Sequence, residues 1–182
     1  MANVDNPHGF RPLNRSLFGG PGAALMQCHK LVGYGTALFI GDAVTRVASG
    51  VQATPAISAA ITPGTTPSFG VNLVYGAAST ATTNHLVVPA GNSQLFEIQD
   101  NSDTDGVEAA SAVKNANIEL NAGSTTTQLS GHELDESTIN TTNTLDLKMH
   151  GLLQVADNAY GAWARVLVTF NRSQLSDLIA GI

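Results

Sequence analysis

Cys28 and His29 stand side by side, the residue types of a thiol nucleophile and its base. On a strand, neighbours project to opposite faces, so this histidine cannot serve this thiol, and Cys28 reads as a small core residue. His132, Glu133 and Glu136 open like the zinc-protease helix motif, but Glu136 stands where the second histidine belongs and Gly131 precedes the run. Asn101, Asp103, Asp105 and Gly106 mimic the head of a calcium loop, yet Ala112 occupies the position of the bidentate glutamate. Asp-Gly clusters are ordinary turn chemistry, with a weak structural cation as the alternative. The five histidines, His8, His29, His85, His132 and His150, have no ligand-like spacing, and no glycine-rich segment has the phosphate-loop form. No metal or cofactor is expected, and the residues make no positive case for an enzyme.

The elements that must position these residues read as strands. Apolar residues alternate with period two more often than 3.6, and turn residues separate the segments at short intervals. Phe69, Val71, Leu73 and Tyr75 share one face of a strand over 69–75, opposite Gly70, Asn72 and Val74. Leu145, Leu147 and Met149 alternate with Asp146, Lys148 and His150 until Gly151 breaks the pattern. The run Asp157-Asn158-Ala159-Tyr160-Gly161 supplies a turn, and Val166, Val168 and Phe170 share a face beyond it, which predicts a long antiparallel hairpin. Further strands are expected over 25–32, 43–48, 56–61, 85–88, 94–99 and 117–120, and a short helix over 107–116 from its alanines. The fold class is therefore mainly β, a compact antiparallel barrel or sandwich.

Both ends depart from that pattern. Pro7, Gly9 and Pro12 cannot propagate a helix, so the chain should begin as an extended arm, with Phe10, Arg11 and Pro12 offering an apolar anchor and a charge. Gly19, Gly20, Pro21 and Gly22 read as a hinge, which divides the chain into an arm and hinge over 1–22 and one β-rich domain over 23–182. At the other end, Leu175, Leu178, Ile179 and Ile182 follow helical spacing, with Asn171 and Gln174 as a capping pair. That helix would close the sheet core or dock on a partner through Leu175 and Ile179.

Composition bounds the function. Only 12% of the 182 residues are charged and 43% are hydrophobic, which excludes a disordered polyelectrolyte and leaves a surface of neutral polar and small apolar groups that neighbours would cover. A net charge of −6 with 8 scattered lysines and arginines argues against nucleic-acid binding, which needs a basic footprint. No apolar run approaches the ~20 residues of a membrane helix or the core of a signal peptide, so a cytoplasmic origin with no membrane partner is expected.

The opening Ala2-Asn3-Val4, Pro7 and Gly9-Phe10-Arg11-Pro12 resembles the N-terminus of capsid decoration, or cement, proteins of tailed bacteriophages. Similar likeness lies in the 94–100 segment, in Gly123 to Thr127, in Glu133-Leu134-Asp135 and in the stretch from Gln154 to Ala162. The resemblance implies a virion structural protein on the capsid exterior, assembled in a bacterial cytoplasm. It would bind the major capsid protein lattice and clamp adjacent capsomers, often as a homotrimer. Phe10, Arg11 and Pro12 would then anchor the arm. A second reading is an adhesive or carbohydrate-binding β-module of a phage tail or fibre, served by Trp163, Tyr34, Tyr75 and Tyr160.

Overall fold

A computed structural model describes residues 3–16, 24–48, 54–91 and 93–175. Eleven strands dominate it: β1 (Arg11–Ser16), β2 (Met26–Lys30), β3 (Ala43–Val47), β4 (Ala56–Ser58), β5 (Gly70–Asn72), β6 (Asn84–Pro89), β7 (Gln94–Gln99), β8 (Asn115–Glu119), β9 (Glu133–Asn140), β10 (Leu147–Leu152) and β11 (Arg165–Phe170). The protein is mainly β, with antiparallel sheets and a closed barrel, as the alternating pattern predicts.

Strands β2-β4-β3-β5-β6 close the barrel, antiparallel throughout except where β2 runs parallel to β4. The other six form a sheet in the order β1-β7-β11-β10-β8-β9. This sheet rolls towards closure, because Asp100, just beyond β7, bridges Leu134 of β9, and the Asn101 N–H donates to the Leu134 carbonyl at 3.0 Å.

The predicted hairpin is β10–β11, with Leu147 opposite Phe170 and a register shift between Met149 and Gly151. Gly151 sits at φ 115°, a conformation that costs a side chain but not glycine, so the bulge falls where the sequence breaks its alternation. The 69–75 strand is shorter than expected. Only Gly70–Asn72 pair, and Phe69 enters the barrel core while Val71 enters the sheet core. Adjacent Ala43 and Val44, and adjacent Val87 and Val88, likewise serve opposite cores. The barrel wall at β3, β5 and the end of β6 is thus buried on both faces and joins the two parts.

Asp146 strengthens the join. Its buried carboxylate accepts the Gly64 N–H at 3.0 and 2.9 Å and the Ile118 N–H at 3.4 Å, while Arg172 donates to the carbonyls of Gly64 and Thr65. Asp146, which alternates in sequence with Leu145 and Leu147, is buried all the same, because its carboxylate satisfies the buried Ile118 amide and the half-buried Gly64 amide.

Two expectations change. The 107–116 helix is a single 3₁₀ turn, Ala109–Ser111, because Val107, Ala112 and Ala116 are needed in the core and Asn115 already pairs with β10. Asn171 and Gln174 do not form a cap. Asn171 donates to the Asn143 and Leu145 carbonyls, and the Gln174 amide pairs with both backbone groups of Arg46 in β3. The helix expected from Leu178, Ile179 and Ile182 lies outside the described residues.

Candidate functional site

The opening segment lies on its own domain. Phe10 is 1% exposed, with its ring 4.9 Å from Phe170 and 6.2 Å from Phe96. An anchor to another surface is therefore the wrong role for Phe10, whose ring fills the core beneath β7 and β11. Its backbone reaches that position by crossing Gly41 closely. The Phe10 N–H donates to the Gly41 carbonyl at 2.9 Å, and a Cβ on Gly41 would fall 2.6 Å from the His8 carbonyl oxygen. Beyond the crossing, β1 adds an edge strand to β7, with Pro12 opposite Phe96. An edge is where a proline fits a sheet, since its missing N–H leaves no ladder bond unmade.

Side-chain amides hold residues 3–6 in place. Asn3 donates to the carbonyls of Ala159 and Ala162 and accepts from the Ala159 N–H, between 2.8 and 3.0 Å. Gln99 donates to the carbonyls of Val4 and Trp163 and accepts from the Asn6 N–H. A cleft of about 490 Å³ remains between this segment and the sheet, bordered by Asp5, His8, Arg11, Asp157, Trp163 and Arg165.

Beneath it lies a buried charge group. His8 Nε2 is 3.5 Å and Arg165 3.8 Å from Glu97 Oε1, and Arg165 also pairs with Asp157 at 2.7 Å. Neither His8 Nε2 nor Glu97 Oε1 has a hydrogen bond of good geometry, although each residue is more than nine-tenths buried. The imidazole of His8 holds the Glu97 carboxyl below its ordinary range, against burial and with help from Arg11 and Arg165. The loop above is rigid by construction. Asn158 bridges Leu153 and Arg165 through three hydrogen bonds, and Trp163 is kept at φ 54° with 36% of its surface exposed.

Of the predicted contact residues, Arg11 lines this cleft and is exposed, Pro12 is half-buried in β1, and Leu175 is 47% exposed at the other end of the fold. Ile179 lies outside the described residues. Cys28 is fully buried, its thiol pushed up to about 11 by burial, so it is no nucleophile. His29 pairs with Thr54 and not with the thiol. His132 takes the Ala43 N–H and approaches Asp42 at 3.6 Å, a packed position inside the fold. The 101–106 turn closes on Glu136, which accepts from the Thr104 N–H and hydroxyl. Those bonds outweigh burial and hold the Glu136 carboxyl low. Among the described residues no group of histidine, cysteine and carboxylate side chains is arranged to hold a metal.

Sequence reasoning missed His8, Glu97, Gln99 and Arg165, which come from distant parts of the chain. The turn before Trp163 was the one local signal. The four aromatics of the second reading are split: Tyr34 packs against the barrel core and Tyr75 against Phe39 at 5.6 Å, whereas Tyr160 and Trp163 share the exposed loop. Compared with known proteins, the chain matches no family model, no curated protein and no solved structure.

Proposed function

We propose that the protein is a virion structural protein that binds the outer surface of an assembled phage capsid and clamps adjacent capsomers, acting as a homotrimer. The observation that carries this reading is the outer wall of the barrel. Gln27 of β2 stands opposite Leu86 of β6, and Leu25, two residues before Gln27, continues the same row. Leu86 is 40% and Leu25 59% exposed, and Gln27 between them is exposed and uncharged. Exposed leucines set diagonally on neighbouring strands favour burial against another protein, and the uncharged Gln27 between them spares the desolvation cost of an interface core. The resemblance of the opening and of segments along the chain supplies the identity of that partner.

The arm supports the reading differently from the way its sequence suggested. It is fixed to its own sheet, so the protein would meet the shell as one preorganised body that loses little conformational freedom on docking. Deleting residues 1–16 would remove Phe10 from the core and could not isolate a contact. The informative variant is Leu25→Asp/Leu86→Asp, mixed with assembled undecorated shells and sedimented. Loss of co-sedimentation with an unchanged melting temperature supports the proposal; binding as tight as that of the unaltered protein contradicts it.

A further inference from the structure

The cleft over Glu97 has a volume of about 490 Å³, inside the ~300–1,000 Å³ range of small-molecule sites, and nothing in the capsid reading uses it. Its chemistry narrows what could enter. Asp5, Asp157 and the underlying Glu97 oppose Arg11 and Arg165, so an anion and a cation would each meet like charge on entry. Donors and acceptors are nevertheless plentiful. The guanidinium of Arg11 and the carboxylate of Asp5 are exposed, and His8 Nε2 and Glu97 Oε1 are buried without a well-formed hydrogen bond. Mixed donors and acceptors with charges of both signs suit vicinal hydroxyls, which give and accept hydrogen bonds at once.

Trp163 adds an apolar surface. It is a bulky residue in the left-handed region, which L side chains rarely adopt, and strain of this kind persists only where the surroundings enforce it. Here they do. Gln99 holds the Trp163 carbonyl, the Asp100 N–H donates to Ala164 at 3.0 Å, and Asn3 fixes Ala162. With its backbone fixed in this way, Trp163 borders a polar cleft and is 36% exposed, and its indole matches the less polar face of a pyranose ring.

We propose that this cleft binds a neutral hexose unit of a glycan, with Trp163 as its stacking platform and Arg11 and Asp5 as hydroxyl partners. The site is separate from the Leu25–Leu86 row and does not depend on shell binding.

The chain has a single tryptophan, so its emission reports this site directly. The protein is titrated with maltohexaose, cellohexaose, mannohexaose and chitohexaose, with a heparin hexasaccharide as the anionic comparison. A saturable shift with at least one neutral sugar and a Kd on the order of 1 mM is expected, with none from heparin. Followed by calorimetry, Trp163→Asn, which tolerates the left-handed backbone, should weaken binding about tenfold, and Arg11→Gln should weaken it several-fold. Leu86→Asp should leave sugar binding unchanged, which separates this test from that of the capsid reading. No saturable shift with any neutral sugar, a shift with heparin alone, or full binding in both cleft variants would overturn the proposal.

Discussion

Phe10 and Phe170 meet with ring centroids 4.9 Å apart, and Phe96 stands edge-on to both, at 6.2 and 5.3 Å. The beginning of the chain therefore completes a cluster whose other rings come from β7 and β11. Phe10→Ala should cost about 3–5 kcal/mol of stability, through lost transfer energy and the cavity left behind. Urea unfolding checks this, and a cost below about 1 kcal/mol would mean that the ring is not packed as described.

Asp146 ties Gly64, in the turn before β5, to Ile118 in β8, while its carbonyl accepts the N–H groups of Asn171 and Arg172. Asp146→Ala strands the buried Ile118 amide and leaves the half-buried Gly64 amide to water, and should cost about 1–3 kcal/mol. Asp146→Asn keeps one acceptor and should recover part of the loss. Amide exchange at Gly64 should quicken more in the alanine variant than in the asparagine variant.

The buried carboxyls of Asp100 and Glu133 should make stability fall as pH rises from about 4 to about 7, against His85, His132 and His150, which burial holds below their ordinary range and whose contribution rises with pH up to about 6.5. Burial pushes Asp100 up to about 6 and Glu133 up to about 7, with nearby Glu136, Glu119 and Asp5 adding to the effect. A carboxyl raised in the folded state stabilises the fold while protonated, below its unfolded value, and that contribution disappears as the pH passes the folded value. Glu97, held low, acts in the opposite sense, its contribution present above its unfolded value and lost as pH falls. Each raised group accounts for about 3 kcal/mol at most. Melting temperatures of Asp100→Asn and Glu133→Gln should therefore fall less, or rise more, between about pH 4 and about pH 7 than that of the unaltered protein.

Cys28 should be inert to a thiol reagent in the native protein and fully reactive in denaturant. Its side chain is 0% exposed and its thiolate is disfavoured by burial. Fast native modification would contradict its place inside the barrel.

What the sequence made legible follows from burial on one face. The β10–β11 hairpin alternates up to Gly151, so its faces could be read from the sequence, whereas β7, expected over 94–99 and found as Gln94–Gln99, could be located but is buried on both faces. Strands β1 and β9 escaped notice. Arg11–Ser16 is an edge strand containing Pro12, and Glu133–Asn140 is polar, with its ladder to β8 irregular between Asn115 and Asn117. The 69–75 segment misled because its residues divide between two cores, a division set by barrel closure and invisible to a period. The cleft was less legible still. Arg11, Gln99 and Trp163 meet only because β1, β7 and β11 are neighbours in one sheet, and the order of strands is not written in any local pattern.

The central claim is that this protein binds and reinforces an assembled shell. Its most direct test is the rupture temperature of undecorated phage shells, measured with increasing amounts of the purified protein alongside co-sedimentation. The account predicts saturable binding with a raised rupture temperature, lost together in Leu25→Asp/Leu86→Asp. Saturating protein that leaves the rupture temperature unchanged, or that stays in the supernatant, would contradict it.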